Sequence, residues 1–155
     1  MNDEKEYISK EKFNELTLEL DHLKKVKRRE VAEDLEHAKS LGDLSENAEY
    51  QEARQAQAET EVRISKIEAI LKNAEIVVSH HSTIAEVGST ITIIKEGEGN
   101  EKVYSLVGSE EADSASGKIS INSPLGTALQ GKKAGDSFIL STPSGKVSYK
   151  VVNIK

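Results

Sequence analysis

Residues 53–74, ARQAQAETEVRISKIEAILKNA, decide the fold of the first half of the chain. Within them, small or aliphatic residues and one threonine recur in steps of three and four, at Ala53, Ala56, Thr60, Ile64, Ile67, Leu71 and Ala74. This spacing places them along one stripe of an α-helix, as in the seam of a coiled coil. A long helix that is otherwise polar is not stable alone in water. The stretch therefore predicts a helix that packs along a second helix.

A second stripe with similar spacing lies upstream. Its members are Phe13, Leu16, Leu20, Leu23, Val31, Leu35 and Ala38. The charged run KKVKRRE (24–30) interrupts this stripe, and we interpret the run as a mostly solvated helix face. Two apolar stripes with the same helical spacing can bury each other when the chain folds back on itself.

The limits of these helices follow from capping residues. Ser9 is suited to begin the first helix, and Gly42 is suited to end it in the left-handed conformation. We predict helices at about 9–40 and 45–74, joined by a tight turn at 41–44. The arrangement is an antiparallel hairpin within one chain, and we expect a monomer.

The composition changes near residue 75. Residues 1–74 hold 31 charged residues, one glycine and no proline, whereas residues 75–155 hold 17 charged residues, nine glycines and both prolines. The second half predicts short strands at 76–79, 89–94, 102–107, 118–121, 137–141 and 147–152. A short helix is predicted at 124–130, with Pro124 in its first turn.

These patterns predict an α+β protein of two domains. Residues 1–77 are expected to form the antiparallel coiled coil. Residues 78–155 are expected to form a small antiparallel sheet with one short helix packed on it.

The overall composition excludes several classes of protein. With 155 residues and a net charge of −6, the chain is not suited to wrap duplex DNA through a basic face. It has no cysteine, so a disulfide frame and a zinc site built on thiolates are excluded. The longest aliphatic run, Ile76–Val78, is far too short to span a membrane. We expect a soluble, cytoplasmic protein without a membrane partner.

The predicted turn lies in the sequence GDLSENAEY (42–50), which we call the tip. If the second helix begins at residue 43 or 44, Asp43 and Glu46 lie on one face, where two carboxylates can share a divalent cation. Alternatively, Asp43 caps the helix and Glu46 completes a capping box. The residues alone leave both interpretations open.

The tip with the following Arg54, the segment KISINSPLGTALQGKKAGD (118–136) and the ending STPSGKVSYKV (141–151) resemble the bacterial GreA/GreB family of transcript cleavage factors. The resemblance covers nearly the whole chain. It implies that the C-terminal domain has an FKBP-like fold and docks on RNA polymerase at the mouth of the secondary channel. It also implies that the coiled coil enters this channel. The absence of a broad basic patch favours the GreA branch over the GreB branch.

The resemblance further implies a chemical role for the tip. Asp43 and Glu46 would be the catalytic, metal-supporting acids, which hold Mg²⁺ jointly with the polymerase and bind none tightly alone. The nascent RNA of a backtracked complex would then be cut near its 3′ end. Because two acids cannot build a two-metal site, the chain would be an accessory to the polymerase and not an enzyme by itself.

Further residues acquire roles from the same resemblance. Lys39 and Arg54 match basic positions that face the RNA, although each is equally suited to be a solvated helix charge. The polymerase-docking segment is matched by Asn122, Ser123, Pro124 and Leu125. Some members have Asp at position 122. The simpler interpretation is that Pro124 begins a helix and Leu125 belongs to the core, and both interpretations can hold.

Three other functions were compared with this one. A coiled-coil module could occupy the channel without promoting cleavage, but it would not need the acids of the tip. A prolyl isomerase would need an aromatic pocket, whereas the second half has only Tyr104, Phe138 and Tyr149. A structural coiled coil would not need a single tight turn.

Overall fold

The computed structural model describes residues 5–43, 47–78 and 82–155. The chain forms two compact units, one of Glu11–Ala74 and one of Met1–Lys10 together with Glu75–Lys155. In the described part of the chain, no helix is long and apolar enough to cross a membrane.

The start of the chain is grouped with the C-terminal unit, whereas the predicted domain limits placed it with the coiled coil. The reason is a two-stranded sheet in which β1 (Glu6–Ile8) pairs with β2 (Ala74–Ile76). In addition, the backbone nitrogen and the hydroxyl of Ser9 donate hydrogen bonds of 2.9 and 2.6 Å to the Glu111 carboxylate.

The helical hairpin has nearly the predicted limits. Its first arm is continuous and consists of α1 (Lys10–His22), a π-helical segment (Leu23–Lys27) and α2 (Arg28–Ser40). Its second arm is α3 (Ala48–Asn73), about 39 Å long at ~1.5 Å per residue. The second arm begins later than predicted, at Ala48 and not at residue 45. Between the arms, Gly42 has φ +122°, the left-handed backbone expected of it.

The π-helical segment corrects the phase of the apolar stripe. A seven-residue repeat running through Leu16 and Leu23 would next reach position 30, but Glu30 is exposed and Val31 is buried. A π-helical turn holds one additional residue and so shifts the phase of the helix after it by one position. The sequence therefore contains a one-residue skip, and the π segment absorbs it.

The two stripes form the buried interior of the hairpin. Buried side chains on the first arm are Leu16, Val31 and Ala38, and those on the second are Ala53, Thr60, Ile64, Ile67 and Ile70. Ile70 was not predicted. It is 4% exposed, while its neighbour Leu71, which was predicted, is only half-buried. The two lie on either side of the stripe, which is wider near the end of α3.

The charged run 24–30 is mostly exposed, as predicted, but it also connects the arms. Arg28 donates two hydrogen bonds of 2.7 Å to Glu61, and Lys24 forms an ion pair with Glu68. Arg63 of α3 binds Glu19 in the same two-pronged way, at 2.6 and 2.7 Å. These contacts add charge-assisted hydrogen bonds to a narrow apolar seam.

The C-terminal unit contains a five-stranded sheet in the order β5-β4-β3-β7-β6. Its elements are β3 (Thr90–Lys95), β4 (Glu101–Val107), β5 (Lys118–Ser120), α4 (Pro124–Leu129), β6 (Ser137–Thr142) and β7 (Gly145–Ile154). The prediction of a purely antiparallel sheet is wrong in one place, because β4 and β5 pair in parallel. The segment between them contains two 3₁₀ turns, Ser109–Glu111 and Ser114–Ser116, and returns the chain to the same end of the sheet.

One face of this sheet carries the core. Buried members are Ala85, Ile91, Ile93, Leu106, Leu129, Phe138 and Val151. Because side chains alternate along a strand, the opposite face is left to polar and partly exposed residues. Leu129 of α4 is fully buried, so the short helix covers the apolar face as predicted.

Candidate functional site: the tip and the docking segment

The tip is capped by a residue other than the one predicted. Asn47 is the N-cap of α3, and its side-chain oxygen accepts a 3.1 Å hydrogen bond from the backbone nitrogen of Tyr50. The interpretation in which Asp43 caps the second helix is therefore wrong. The helix also does not begin at residue 43 or 44, so the alignment of Asp43 with Glu46 that depends on this start is wrong as well. Asp43 precedes the helix, and Glu46 lies outside the described residues.

Asn47 also joins the two arms of the hairpin. Its side-chain nitrogen donates a 2.7 Å hydrogen bond to the carbonyl oxygen of Ala38, in the last turn of α2. Ala38 is 2% exposed and Ala53, on α3, is 6% exposed, so small side chains allow the helices to lie close together here. Sequence reasoning missed Asn47, although an asparagine directly before a helix is itself a capping signal.

Asp43 is exposed between the end of α2 and the cap of α3. A carboxylate there provides hard oxygen ligands of the kind that Mg²⁺ prefers. No group of three or more acidic or histidine side chains that could hold a metal ion occurs among the described residues.

The two predicted RNA-contacting residues lie on the arms next to the tip. Lys39 is exposed near the end of α2 and forms no ion pair with any residue in the described ranges. The Arg54 guanidinium lies 5.9 Å from the centre of the Tyr50 ring, within the range of a cation–π contact. The sequence left the role of Tyr50 undecided. Its side chain is half-buried, and its ring is the cation–π partner of Arg54.

In the docking segment (residues 122–125), the simpler interpretation of the sequence is confirmed, because Pro124 begins a helix and Leu125 packs against the core. Ser123 is the N-cap of α4: its hydroxyl accepts from the Gly126 nitrogen at 3.0 Å and donates to the Ser120 carbonyl at 2.6 Å. Pro124 is exposed at the first helical position, whereas Leu125 packs against the core. The exposed part of the segment is thus limited to its first residues.

Asn122 is exposed but held in place. Its side-chain nitrogen donates to the Ser109 hydroxyl at 3.0 Å, and its backbone nitrogen donates to the Ser120 hydroxyl at 3.1 Å. The hydroxyl oxygens of Ser109 and Ser120 are themselves 3.2 Å apart. The side-chain oxygen and the second N–H of the Asn122 amide form no hydrogen bond with the described residues.

The N-terminal segment borders the docking segment, which the sequence did not indicate. Lys5, Glu6 and Tyr7 line the same surface groove as Ile121 and Asn122. Nothing in the local pattern could signal this proximity, because the residues on the two sides of the groove are more than a hundred positions apart.

Comparison with known proteins defines the class. The profile described as "Transcription elongation factor, N-terminal" matches residues 6–76, and "Transcription elongation factor, GreA/GreB, C-term" matches residues 80–155. The chain belongs to the GreA/GreB family of transcription elongation factors. The family membership predicted from the tip and the docking segment is confirmed.

Several similar proteins carry the name transcription elongation factor GreA. The chain is 43% identical over 150 residues to transcription elongation factor GreA of Caldanaerobacter subterraneus subsp. tengcongensis, with 96% of each chain covered. It is 40% identical over 158 residues to GreA of Geobacillus kaustophilus, with both chains covered completely. Among solved structures it is similar to GreA factor homolog 1 of Thermus thermophilus (27% identity, TM-score 0.45, 97% of this chain and 99% of that chain covered). It is also similar to GreA/GreB of Nitrosomonas europaea (29% identity, TM-score 0.44, 59% and 78% covered).

Proposed function

We propose that this chain is a transcript cleavage factor. Its helical hairpin enters the secondary channel of RNA polymerase, and its tip stimulates cleavage of the 3′ end of backtracked nascent RNA, which rescues arrested complexes. The observation that carries the proposal is the exposed Asp43 at the end of a hairpin, in a chain that belongs to a family of elongation factors.

The tip acids act as part of a shared site. Bound Mg²⁺ supplies positive charge that activates the attacking water and stabilises the leaving oxygen. Asp43 and Glu46 would contribute carboxylate oxygens to this ion, and the acids of the polymerase and the RNA phosphate would supply the further oxygen ligands that two carboxylates cannot. The free chain therefore binds Mg²⁺ weakly.

Lys39 and Arg54 position the RNA. Both present a cation near the tip, where phosphate oxygens are the natural ligands and no base sequence is read. Arg54 is partly pre-oriented by the Tyr50 ring, which lowers the entropy lost when it binds a phosphate.

The docking segment places the factor on the polymerase. Asn122 and Pro124 form its exposed rim, the half-buried Ser123 caps α4 between them, and Leu125 anchors the segment to the core. Asn122 presents an amide oxygen where some members have a carboxylate. We therefore expect a hydrogen-bond donor as its partner, in a contact that does not require a negative charge at position 122.

The test is a cleavage assay on a polymerase stalled in a backtracked state, with Mg²⁺ and the full chain. We expect short 3′-end RNA fragments with the wild type, and strongly reduced cleavage with Asp43→Asn and Glu46→Gln. Glu49→Gln is the matched control, because Glu49 is an exposed carboxylate in the first turn of α3. Equal cleavage by all four proteins would contradict the metal role of the tip. Polymerase binding without any cleavage would favour a module that only occupies the channel.

A further inference from the structure

β6 is an edge strand that lacks the usual protection. Its sequence, SFILST (137–142), has no charged residue and no proline, and among the described strands it pairs with β7 alone. Soluble proteins commonly protect such edges with lysines, prolines, bulges or a covering segment, because unpaired strands attract other strands. The β6–β7 register is regular from Ser137 to Thr142. The one irregularity among these described residues lies just before β6, where Gly135 and Asp136 both bond to Val151, so β6 itself contains no bulge.

The backbone groups on this edge are unpaired in an alternating pattern. The carbonyl of Ser148, the β7 partner of Ile139, accepts from Glu96 on the β3 side of the sheet. Ser148 and Ile139 therefore do not bond each other, and antiparallel alternation turns the N–H and C=O groups of Ser137, Ile139 and Ser141 outward. None of the three has a further hydrogen bond within the described ranges.

The side chains of Ser137, Ile139 and Ser141 are apolar or small, and two lysines lie next to them on β7. Ile139 is 63% exposed, on the face opposite the core residue Phe138. Across the ladder, Ser141 is opposite Lys146 and Ser137 is opposite Lys150. Both lysines are exposed and form no ion pair with any residue of the described chain. A strand added beside β6 would lie about 10 Å from β7, and only serine side chains separate it from the two ammonium groups.

We propose that the β6 edge binds an extended peptide segment of a partner protein by strand addition, and that this segment carries acidic side chains at alternating positions. Three outward N–H and C=O pairs select an extended backbone. Lys146 and Lys150 favour carboxylates on the same face as Ile139, and Ile139 can contact the methylene groups of these acidic side chains. A second copy of β6 offers no acid to these lysines, so the charge pattern argues against it. This surface is separate from the tip, and the proposal does not depend on the proposed function.

The test uses the full chain and two labelled peptides, Glu-Val-Glu-Val-Glu-Val and its counterpart with lysine in place of glutamate. Fluorescence anisotropy should show about tenfold tighter binding of the acidic peptide at low salt. Amide hydrogen exchange should slow at Ser137, Ile139 and Ser141 when the acidic peptide is present. The double variant Lys146→Glu, Lys150→Glu should reverse the preference.

A second variant tests the backbone contribution. Ile139→Pro removes an outward N–H that β7 does not use, so the ladder is kept and peptide binding should be lost. Ile139→Thr keeps the N–H and should retain most of the affinity. Equal binding of both peptides, or the absence of exchange protection in the wild type, would overturn the proposal. So would a concentration-dependent dimer, seen by sedimentation, that protects the same amides without peptide.

Discussion

The side-chain amide of Asn47 bonds in two directions, donating to the Ala38 carbonyl at 2.7 Å and accepting from the Tyr50 nitrogen at 3.1 Å. One residue thus caps α3 and links it to the end of α2. The tip residues that the cleavage hypothesis concerns lie between these two anchors.

Replacing Asn47 should separate these two contributions. Asn47→Asp keeps an oxygen for the cap but loses the donor to Ala38, whereas Asn47→Ala loses both. We expect Asn47→Ala to cost about 1–2 kcal/mol in the free energy of unfolding and Asn47→Asp to cost about half of that. Urea denaturation followed by circular dichroism measures both. If the two variants lose the same stability, the cap that aspartate retains contributes nothing, and if Asn47→Asp is as stable as the wild type, the link to Ala38 contributes nothing.

The ring of Tyr50 should matter only through Arg54. Arg54→Gln removes the proposed RNA contact. Tyr50→Leu keeps apolar volume but removes the aromatic face, and with it a cation–π interaction of roughly 0.5–1 kcal/mol. The concentration of factor that gives half-maximal cleavage should rise for both, by a smaller factor for Tyr50→Leu. Competition with wild type for polymerase should be unchanged. A normal response of Tyr50→Leu beside a defective Arg54→Gln would show that the ring does not position the arginine.

Acid should weaken the hairpin through its cross-arm carboxylates. The hydrogen bonds from Arg63 hold the pKa of Glu19 below its ordinary value, and those from Arg28 do the same to the pKa of Glu61. A lowered folded-state pKa stabilises the fold above the unfolded pKa of about 4.3, and this contribution is lost as the pH falls through the folded value. The stability difference between wild type and Arg63→Gln should therefore be larger at about pH 6 than at about pH 3.5. The same difference at both pH values would contradict this assignment.

Deleting Val26 should be tolerated although it lies inside a long helix. The deletion removes the additional residue that the π segment accommodates, so Leu23 and the present Val31 come into a seven-residue repeat. Deleting Ala32 is the control, because it disrupts a regular part of the stripe and should cost about 2 kcal/mol or more. Thermal unfolding compares the two proteins. A severe loss of stability on deleting Val26 would show that the π segment does more than correct the phase.

The sequence predicted those features that depend on local periodicity. Apolar spacing located both arms of the hairpin, and turn residues located the strands and α4. The π segment was missed because its signal is a single displaced position between Leu23 and Val31, hidden in a charged run. The parallel β4–β5 pair and the β1–β2 sheet depend on partners distant in sequence, which no local pattern specifies.

At the candidate site, the exposure of the residues was predicted better than the local geometry of the tip. Asp43, Lys39 and Arg54 are exposed near the tip as expected. Asp43 was one candidate for the cap, because an acid followed by Glu46 matches a capping box. Asn47 is the better-placed cap, since it can also reach Ala38 on the other arm. Competition between two good capping residues is decided by the tertiary contact that only one of them can make.

The hydrogen bonds between Ser9, next to β1, and Glu111 also determine when the protein can finish folding on the ribosome. The hairpin can close once residues up to about 74 have emerged. Ser9, however, is bound by Glu111, which is synthesised 102 positions later. At about 5–20 residues per second, the first strand waits roughly five seconds or more for its last partner. β1 is therefore among the last described elements to become ordered, although it is synthesised before the others.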